Sequence, residues 1–544
     1  MDFKANQTDQ KLRGGYYTPI DLATFMAKWV ADEHTKEILE PSSGDGNFFN
    51  SLSDVITSQN SRIKITGVEL DSDEALKSIE RSKELDNLSV DVYNTDFLEW
   101  GLKNYNNLKF DAVIGNPPFI RYQYLPQEYQ LKAEKIFKLF NLKFTKHTNA
   151  WVPFVVLGFE LLKPGGKLAM ILPSEIMHVA HAQSLRTYLG KKSEKLLILD
   201  PKELWFTDTL QGALILFAEK KKTTNDDSLG LGIKEISDRS FSKTDPQNYF
   251  EKVHFINGET IKGKWTKAVL NPTELTLLKE IKESSKVHQF KNIADVDVGL
   301  VTGANKYFLI SQDNVQKYGL EKWAHPMFGR SDHCPKMIYD SEQHQLNIKK
   351  GLPTNFIWFD VDSYDELDDD AKKYVKIGES EKYHERYKCR IREPWFKVPS
   401  VYSTEIGMLK RAHDFPRLIL NKKGAYTTDT AYRIRTIDEQ INSYELAFCF
   451  VNSFTALTAE LEGRFYGGGV LELVPSEIEK TFIPIVPINE SQLDALDRDF
   501  QNLSTQEILK RQDEIILKEI GLDKKEREVI HNAWLKLRNR RQRN

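Results

Sequence analysis

The sequence predicts an α/β protein in which a mostly parallel sheet, covered by helices on both faces, is followed by a mixed α+β region and then by C-terminal helices. Three observations carry that reading. From about residue 36 to 220 short β-rich runs alternate with amphipathic segments, the pattern of parallel strands joined by crossover helices. After about residue 219 the alternation stops, and runs such as KVHFI and YFLI come without regular helices between them. From about Glu490 the apolar residues recur at helical spacing and only Gly521 breaks them, which reads as two helices ending in a basic tail of Arg538, Arg540, Arg541 and Arg543. The expected division is therefore 1–245, 246–489 and 490–544, with the polar stretch EKKKTTNDDSLGLG as a linker at the first boundary.

Taken in order, the expected strands are KEILEP, IKITGVEL, VDVYNTDF, FDAVIGNPPF, GKLAMILP, KLLILD and GALILFAEK. Between them lie helical segments such as Asn149 to Leu162, which closes at LKPGGK, a glycine-rich helix stop before the next strand. The formal net charge of -3 over 544 residues excludes a uniformly basic protein, so a nucleic-acid surface has to be a local patch. Three cysteines, Cys334, Cys389 and Cys449, are widely spaced and show no metal-ligand pattern, which fits a reducing compartment. No signal-type segment opens the sequence and no apolar run is long enough to span a bilayer, so a soluble, cytoplasmic chain without a membrane partner is expected.

The chemistry lies at the carboxyl ends of the first four strands. ILEPSSGDGNFF supplies Gly44 and Gly46 for a tight turn in which backbone approaches a ligand. Glu40 and Asp45 bracket that turn; they would repel a pyrophosphate and suit a ligand bearing positive charge, such as S-adenosyl-L-methionine. GVELDSDEA places Glu69 where a ribose diol is commonly held. VDVYNTDFLEW adds Asp96, an acceptor for an adenine amine, and Phe97, a ring to stack on it. In open parallel sheets ligands bind in the crevice at these strand ends.

The fourth strand stops at Asn116, Pro117, Pro118 and Phe119. Two prolines stiffen the chain and remove two donors. The Asn116 side-chain oxygen and the Pro117 carbonyl can both accept from an amine with two N–H groups, which returns the nitrogen lone pair for attack on a methyl sulfonium. Phe119 offers a flat face for the ring carrying that amine.

The order RGGYYTP, EPSSGDGNF, GVELD, NTDF and NPPF resembles the gamma (TaqI-type) class of DNA adenine-N6 methyltransferases, over roughly residues 13 to 217. The resemblance implies a Rossmann-like methyltransferase sheet, S-adenosyl-L-methionine as cofactor and no metal. It places Tyr17 and Thr18 beside the methionine end of the cofactor and makes Glu40, Gly44, Gly46, Glu69, Asp96, Phe97 and Asn116 cofactor residues. Asn116, Pro117, Pro118 and Phe119 become the catalytic tetrapeptide, and Phe206, in KELWFTDTLQGALILF, a second ring against the target base. Phe119 stands where many members carry Tyr; stacking needs only the ring.

RFYGGGVLELVPSEIEKTFIPIVP is similar to the closing part of the TaqI-type specificity domain, which implies a DNA-recognition role for the second region. There EKYHERYKCRIREPWFKVPS offers Arg386, Lys388, Arg390 and Arg392 to phosphates or base edges, and Gly467 and Gly468 permit close backbone approach. The acidic run DVDSYDELDDDA lacks the glycine and closing glutamate of a calcium loop. The expected partners are double-stranded DNA and a separately encoded restriction endonuclease, with the chain a monomer. Transfer to a cytosine amine, to RNA or to a protein glutamine, and a catalytically silent DNA-recognition component, stay open from the residues alone.

Overall fold

A computed structural model describes residues 17–56, 63–202, 212–257, 263–466 and 468–542. The chain forms two compact units, one running through Asn271 and the other built from Pro272–Phe465 with Gly469–Gln542.

In the first unit eight strands form one sheet: β1 (Glu37–Glu40), β2 (Ile63–Glu69), β3 (Leu88–Asn94), β4 (Phe110–Gly115), β5 (Leu162–Pro173), β6 (Ser193–Pro201), β7 (Ala213–Lys220) and β8 (Gly230–Ile236). Their order is β3-β2-β1-β4-β5-β7-β6-β8. The pairs from β3 through β5 are parallel, whereas β7 is antiparallel to both its neighbours. All seven strands expected from the sequence are present. The eighth, β8, begins in the last residues of the stretch read as a linker and pairs parallel with β6.

The sheet is covered on both faces, and its central strands are accordingly apolar throughout rather than alternating. Leu168, Met170 and Leu172 of β5 join one core, while Ala169 and Ile171 join the other. Helix Trp151–Glu160 fills the first, with every residue from Trp151 to Phe159 buried; an all-round apolar helix has to be a core helix. Helices Ile20–Val30 and Asn47–Ile56 pack the opposite face through Phe25, Met26, Phe49 and Leu52.

The division of the chain differs from the expected one in two places. Residues beyond 245 still belong to the first unit because Phe250, Trp265 and Ala268 are core residues of the sheet and Ile256 bridges Leu231 of β8. The C-terminal helices belong to the second unit, and they number three: Glu490–Asn502, Thr505–Glu519 and Lys524–Arg541. Ser504 starts the middle one with a reciprocal capping box to Glu507.

Arg543 falls outside the described residues, but the rest of the arginine-rich end is not a solvated tail. Arg540 and Arg541 are buried at 6% and 3% exposure. The Arg541 guanidinium donates to the buried Glu460 carboxylate (2.7 Å), to the carbonyls of His413 and Asp414 (2.8 and 2.9 Å), and to that of Gly469.

The second unit otherwise carries a three-stranded sheet, a two-stranded sheet and two four-stranded ones. One orders Ala294–Val298, Ala431–Thr436, Ile406–Leu409 and Leu418–Leu420; the other orders Leu309–Ser311, Pro353–Ile357, Ala324–Phe328 and Tyr426–Thr427. The three cysteines are free and buried. Among the described residues no helix is long and apolar enough to cross a membrane.

Candidate active site

β1 hydrogen-bonds to β2 on one side and β4 on the other, so the strand order reverses here and a crevice opens at the carboxyl ends. After β1 the chain turns through Gly44 (φ 52°) and Gly46 (φ 83°). A Cβ at Gly46 would lie 2.9 Å from the Phe49 ring, so the turn takes only glycine there. The Gly44 N–H donates to Glu69 Oε2 at 2.8 Å and the Asp71 N–H to Glu69 Oε1 at 2.9 Å, which locks the ends of β1 and β2 together. Burial raises the Glu69 carboxyl above its ordinary range, while those backbone donors pull it down.

Glu40 is 1% exposed, and its Oε2 has no hydrogen-bond partner; nor has the buried hydroxyl of Ser43, three residues on. Burial first, then the charges of Glu69 and Asp45, push the Glu40 carboxyl well above its usual range. A buried acceptor left unsatisfied is costly. A cation-bearing ligand with N–H donors would relieve both the missing bond and the unbalanced charge. Asp45 itself pairs with Arg81 at 3.0 Å.

Asp96 caps helix Phe97–Asn104, its Oδ1 accepting from the Leu98 N–H at 2.7 Å. Its Oδ2 accepts from Lys132 Nζ at 3.0 Å. The Phe97 ring, given a stacking role by the sequence reading, is 3% exposed and packs in the core, 5.0 Å from Phe154. What it presents at the strand end is the backbone of the first helical turn.

The tetrapeptide is tied to the cofactor turn and to the N-terminal element. Ser42 Oγ donates to the Asn116 carbonyl at 3.1 Å, and Asn116 Nδ2 donates to Thr18 Oγ1 at 3.3 Å. Thr18 is buried, and its carbonyl accepts from Asn47 Nδ2 at 3.4 Å. The Pro117 carbonyl accepts from no described residue. Phe119 is half-buried and packs against both cores. Tyr17 lies farther out, 45% exposed, with its hydroxyl donating to Glu74. Phe206 and Gly467 fall outside the described residues.

Thr18, Glu40, Gly44, Glu69, Asp96 and Asn116 thus gather at one end of the sheet, and Ser42, Ser43, Asn47 and Lys132 join them. The two serines were visible in EPSSGDG as polar residues where a strand should be turning; Lys132 had no local signal.

In the second unit Arg386, Lys388 and Arg390 are exposed, with their cationic groups 4.6 to 5.7 Å from the ring centres of Tyr383 or Tyr387. Arg392 is placed differently. Its guanidinium donates to the carbonyls of Thr302 and Val301 at 2.8 and 2.5 Å, and so braces a loop. Gly468 is exposed at φ 90°.

Acceptors suited to a cation after β1 and acceptors suited to an amine after β4 lie at the same end of the sheet. That arrangement fits the class of S-adenosyl-L-methionine-dependent methyltransferases.

The comparisons agree. The family described as N-6 DNA Methylase matches residues 3–308, and the C-terminal domain of Type II methyltransferase M.Eco57I matches residues 262–517. The chain belongs to the N-6 DNA methylase family, adenine-specific DNA methyltransferases that use S-adenosyl-L-methionine. Type II methyltransferase M.AccI of Acinetobacter calcoaceticus is 24% identical over 480 residues, covering 86% of this chain and 84% of that protein. M.BanIII of Aneurinibacillus aneurinilyticus is 30% identical over 282 residues, 47% of this chain and 45% of that protein. M.HindII of Haemophilus influenzae is 22% identical over 324 residues, 56% of this chain and 57% of that protein.

Proposed function

We propose that the protein methylates the N6 amine of one adenine within a specific site of double-stranded DNA. The base is turned out of the duplex into the first unit, because an exocyclic amine cannot be reached in the stack. The second unit binds the duplex, with Arg386, Lys388 and Arg390 on phosphates or guanine edges and the Gly468 loop approaching closely. The setting is a restriction-modification system in a bacterial cytoplasm, with the chain a monomer beside a separately encoded endonuclease.

S-adenosyl-L-methionine supplies a methyl group on a sulfonium, an electrophile with a good leaving group. The chain's own residues do the rest. Glu40 and the Ser43 hydroxyl receive the amino end of the ligand, Glu69 retains lone pairs for the ribose hydroxyls, and Asp96 with the first turn of its helix receives the adenine end. The Asn116 side-chain oxygen and the Pro117 carbonyl accept the two N–H groups of the target amine and draw its nitrogen toward tetrahedral geometry. Phe119 stacks on the base. After transfer the methylated nitrogen is cationic and acidic, and it releases one proton to solvent; the two acceptors orient the amine but are too weakly basic to take that proton.

The observation that carries this reading is the tie from the tetrapeptide to the cofactor turn and N-terminal element, through Ser42 and Thr18, next to a buried carboxylate without a partner. Methyl incorporation into DNA from labelled cofactor tests it. Asn116→Ala should lower the rate by about 100-fold or more, the usual effect of removing one group aimed at the reacting centre. Equal incorporation by both proteins would sink the mechanism. Sequencing modified bases in DNA from cells making the protein identifies base and site together.

A further inference from the structure

Ser42 and Thr18 hold the tetrapeptide from its entry side. Its exit side is held by a separate device. After Phe119 the chain runs through Ile120 to Tyr124 before helix Gln127–Leu139. The Ala150 N–H donates to the Ile120 carbonyl at 3.0 Å, and the Tyr122 N–H donates to Asn149 Oδ1 at 3.0 Å. The same Asn149 donates through Nδ2 to Glu175 Oε1 at 2.7 Å, and Trp151 Nε1 donates to that oxygen at 2.9 Å. Tyr129 of the following helix donates to the Ala150 carbonyl at 2.8 Å.

The polarity of this relay is fixed by chemistry. An indole N–H only donates and an ionised carboxylate only accepts, so Glu175 compels Asn149 to turn its Nδ2 inward and its oxygen toward Tyr122. Glu175 follows directly on β5 in the short turn Ser174–Met177, and its side chain is only 12% exposed. Asn149 is 6% and Trp151 0% exposed. Bonds to a charged acceptor are roughly twice as strong as neutral ones. The segment leaving the tetrapeptide is thereby referenced to the end of β5, deep in the sheet, rather than to solvent.

We propose that Asn149 and Glu175 are positioning residues for methyl transfer: Asn149, oriented by Glu175, fixes the backbone three residues beyond Phe119, next to the Ala150 backbone bond to Ile120, and so helps hold the ring and the Pro117 carbonyl in register with the arriving base. This rests on the function proposed above. Both residues act through Tyr122 rather than through the groups assigned to cofactor or amine, so their effect is expected on the chemical step. A displacement on the order of 1 Å at a reacting centre is enough to cost about 100-fold in rate.

The full-length chain is assayed on unmethylated DNA with labelled S-adenosyl-L-methionine, giving kcat and KM, with cofactor Kd by calorimetry. Asn149→Ala and Glu175→Ala should each lower kcat by roughly 10- to 100-fold while cofactor Kd stays within about twofold. Glu175→Gln keeps an oxygen for both donors and should recover most of the rate. Asn149→Asp loses the donor and meets a second carboxylate, so it should fall at least as far as Asn149→Ala. Amide hydrogen exchange supplies a readout independent of activity: in Asn149→Ala, Tyr122 should lose protection while helix Trp151–Glu160 keeps its own.

A kcat within twofold of wild type in Asn149→Ala overturns the positioning role, as do cofactor affinity falling in step with kcat, Gln failing to exceed Ala at 175, or protection lost throughout the core. If the wild-type chain transfers methyl normally, such a result removes this inference alone. If the wild-type chain transfers none, the proposed function falls with it.

Discussion

Two glutamates, one in each unit, are buried to nearly the same depth and differ in what stands beside them. Glu40, at the end of β1, is 1% exposed; Glu460, in helix Ser453–Glu462, is 6% exposed. Burial raises both carboxyls above their ordinary range. Glu460 has its counter-charge in place, with Arg541 donating at 2.7 and 3.0 Å. Glu40 has an oxygen with no partner, beside a hydroxyl with none. A fold tolerates a buried carboxylate when the chain itself supplies the cation. At Glu40 the chain supplies none, and the proposed cofactor would bring it.

The largest effect should come from breaking the finished pair. Arg541→Ala leaves Glu460 buried and alone, and should cost about 3–5 kcal/mol of stability in denaturant titrations. The double change Glu460→Leu with Arg541→Met should recover most of that loss; a double variant as unstable as the single would show that the carbonyl contacts of Arg541, not the ion pair, matter most.

Next in size is the unfinished site. Glu40→Gln should weaken S-adenosyl-L-methionine binding by about 1.5–3 kcal/mol, roughly 10- to 150-fold in Kd. The ligand-free protein should lose no stability. Destabilisation on the scale of Arg541→Ala would mean that Glu40 has a structural partner after all.

The pH dependence follows from the direction of the Glu40 shift. Its carboxyl holds a proton more tightly folded than unfolded. As pH rises above the ordinary glutamate range the unfolded chain has released that proton and the folded chain has not, so stability falls with pH until the folded group ionises. Without ligand, the stability advantage of Glu40→Gln over wild type should therefore widen as pH rises through that window and then level off. A gap that is flat with pH from 4 upward, or that narrows, contradicts the shift. The smallest effect is expected from Ser43→Ala: a loss of about 0.5–1.5 kcal/mol in cofactor binding with ligand-free stability unchanged, read by the same calorimetry and denaturant titrations.

What the sequence revealed and what it concealed divide along the range of the interactions. The strand ends at Glu40, Glu69, Asp96 and Asn116 were legible because each is a local break, an apolar run stopping on a polar residue, and a parallel sheet brings such stops to one edge. β8 was not, because GLGIKEI opens on glycines and follows a charged run that reads as linker. The break before Thr505 was missed because a capping box needs no glycine.

Arg392, Arg540 and Arg541 were read as outward-facing because an arginine cluster usually is. Arg392 is held by the carbonyls of Val301 and Thr302, Arg541 by Glu460 and the carbonyls of His413, Asp414 and Gly469, and Arg540 lies 5.7 Å from the Phe465 ring centre. Nothing within a helical turn of these arginines announces contacts 70 to 130 residues away. Asn149 and Glu175 escaped for the same reason, being joined only once β5 and helix Trp151–Glu160 are packed.

The Arg541 clamp bears on where the second unit can be cut from the chain. A recombination event or an engineer wishing to transplant the second unit onto another catalytic sheet would be tempted to cut before Glu490, where the sequence turns uniformly helical. That cut would separate Glu460 and the Gly469 turn from the guanidinium that holds both. The unit to move is instead Pro272–Phe465 with Gly469–Gln542, and its final helix has to travel with Glu460 and the Gly469 turn.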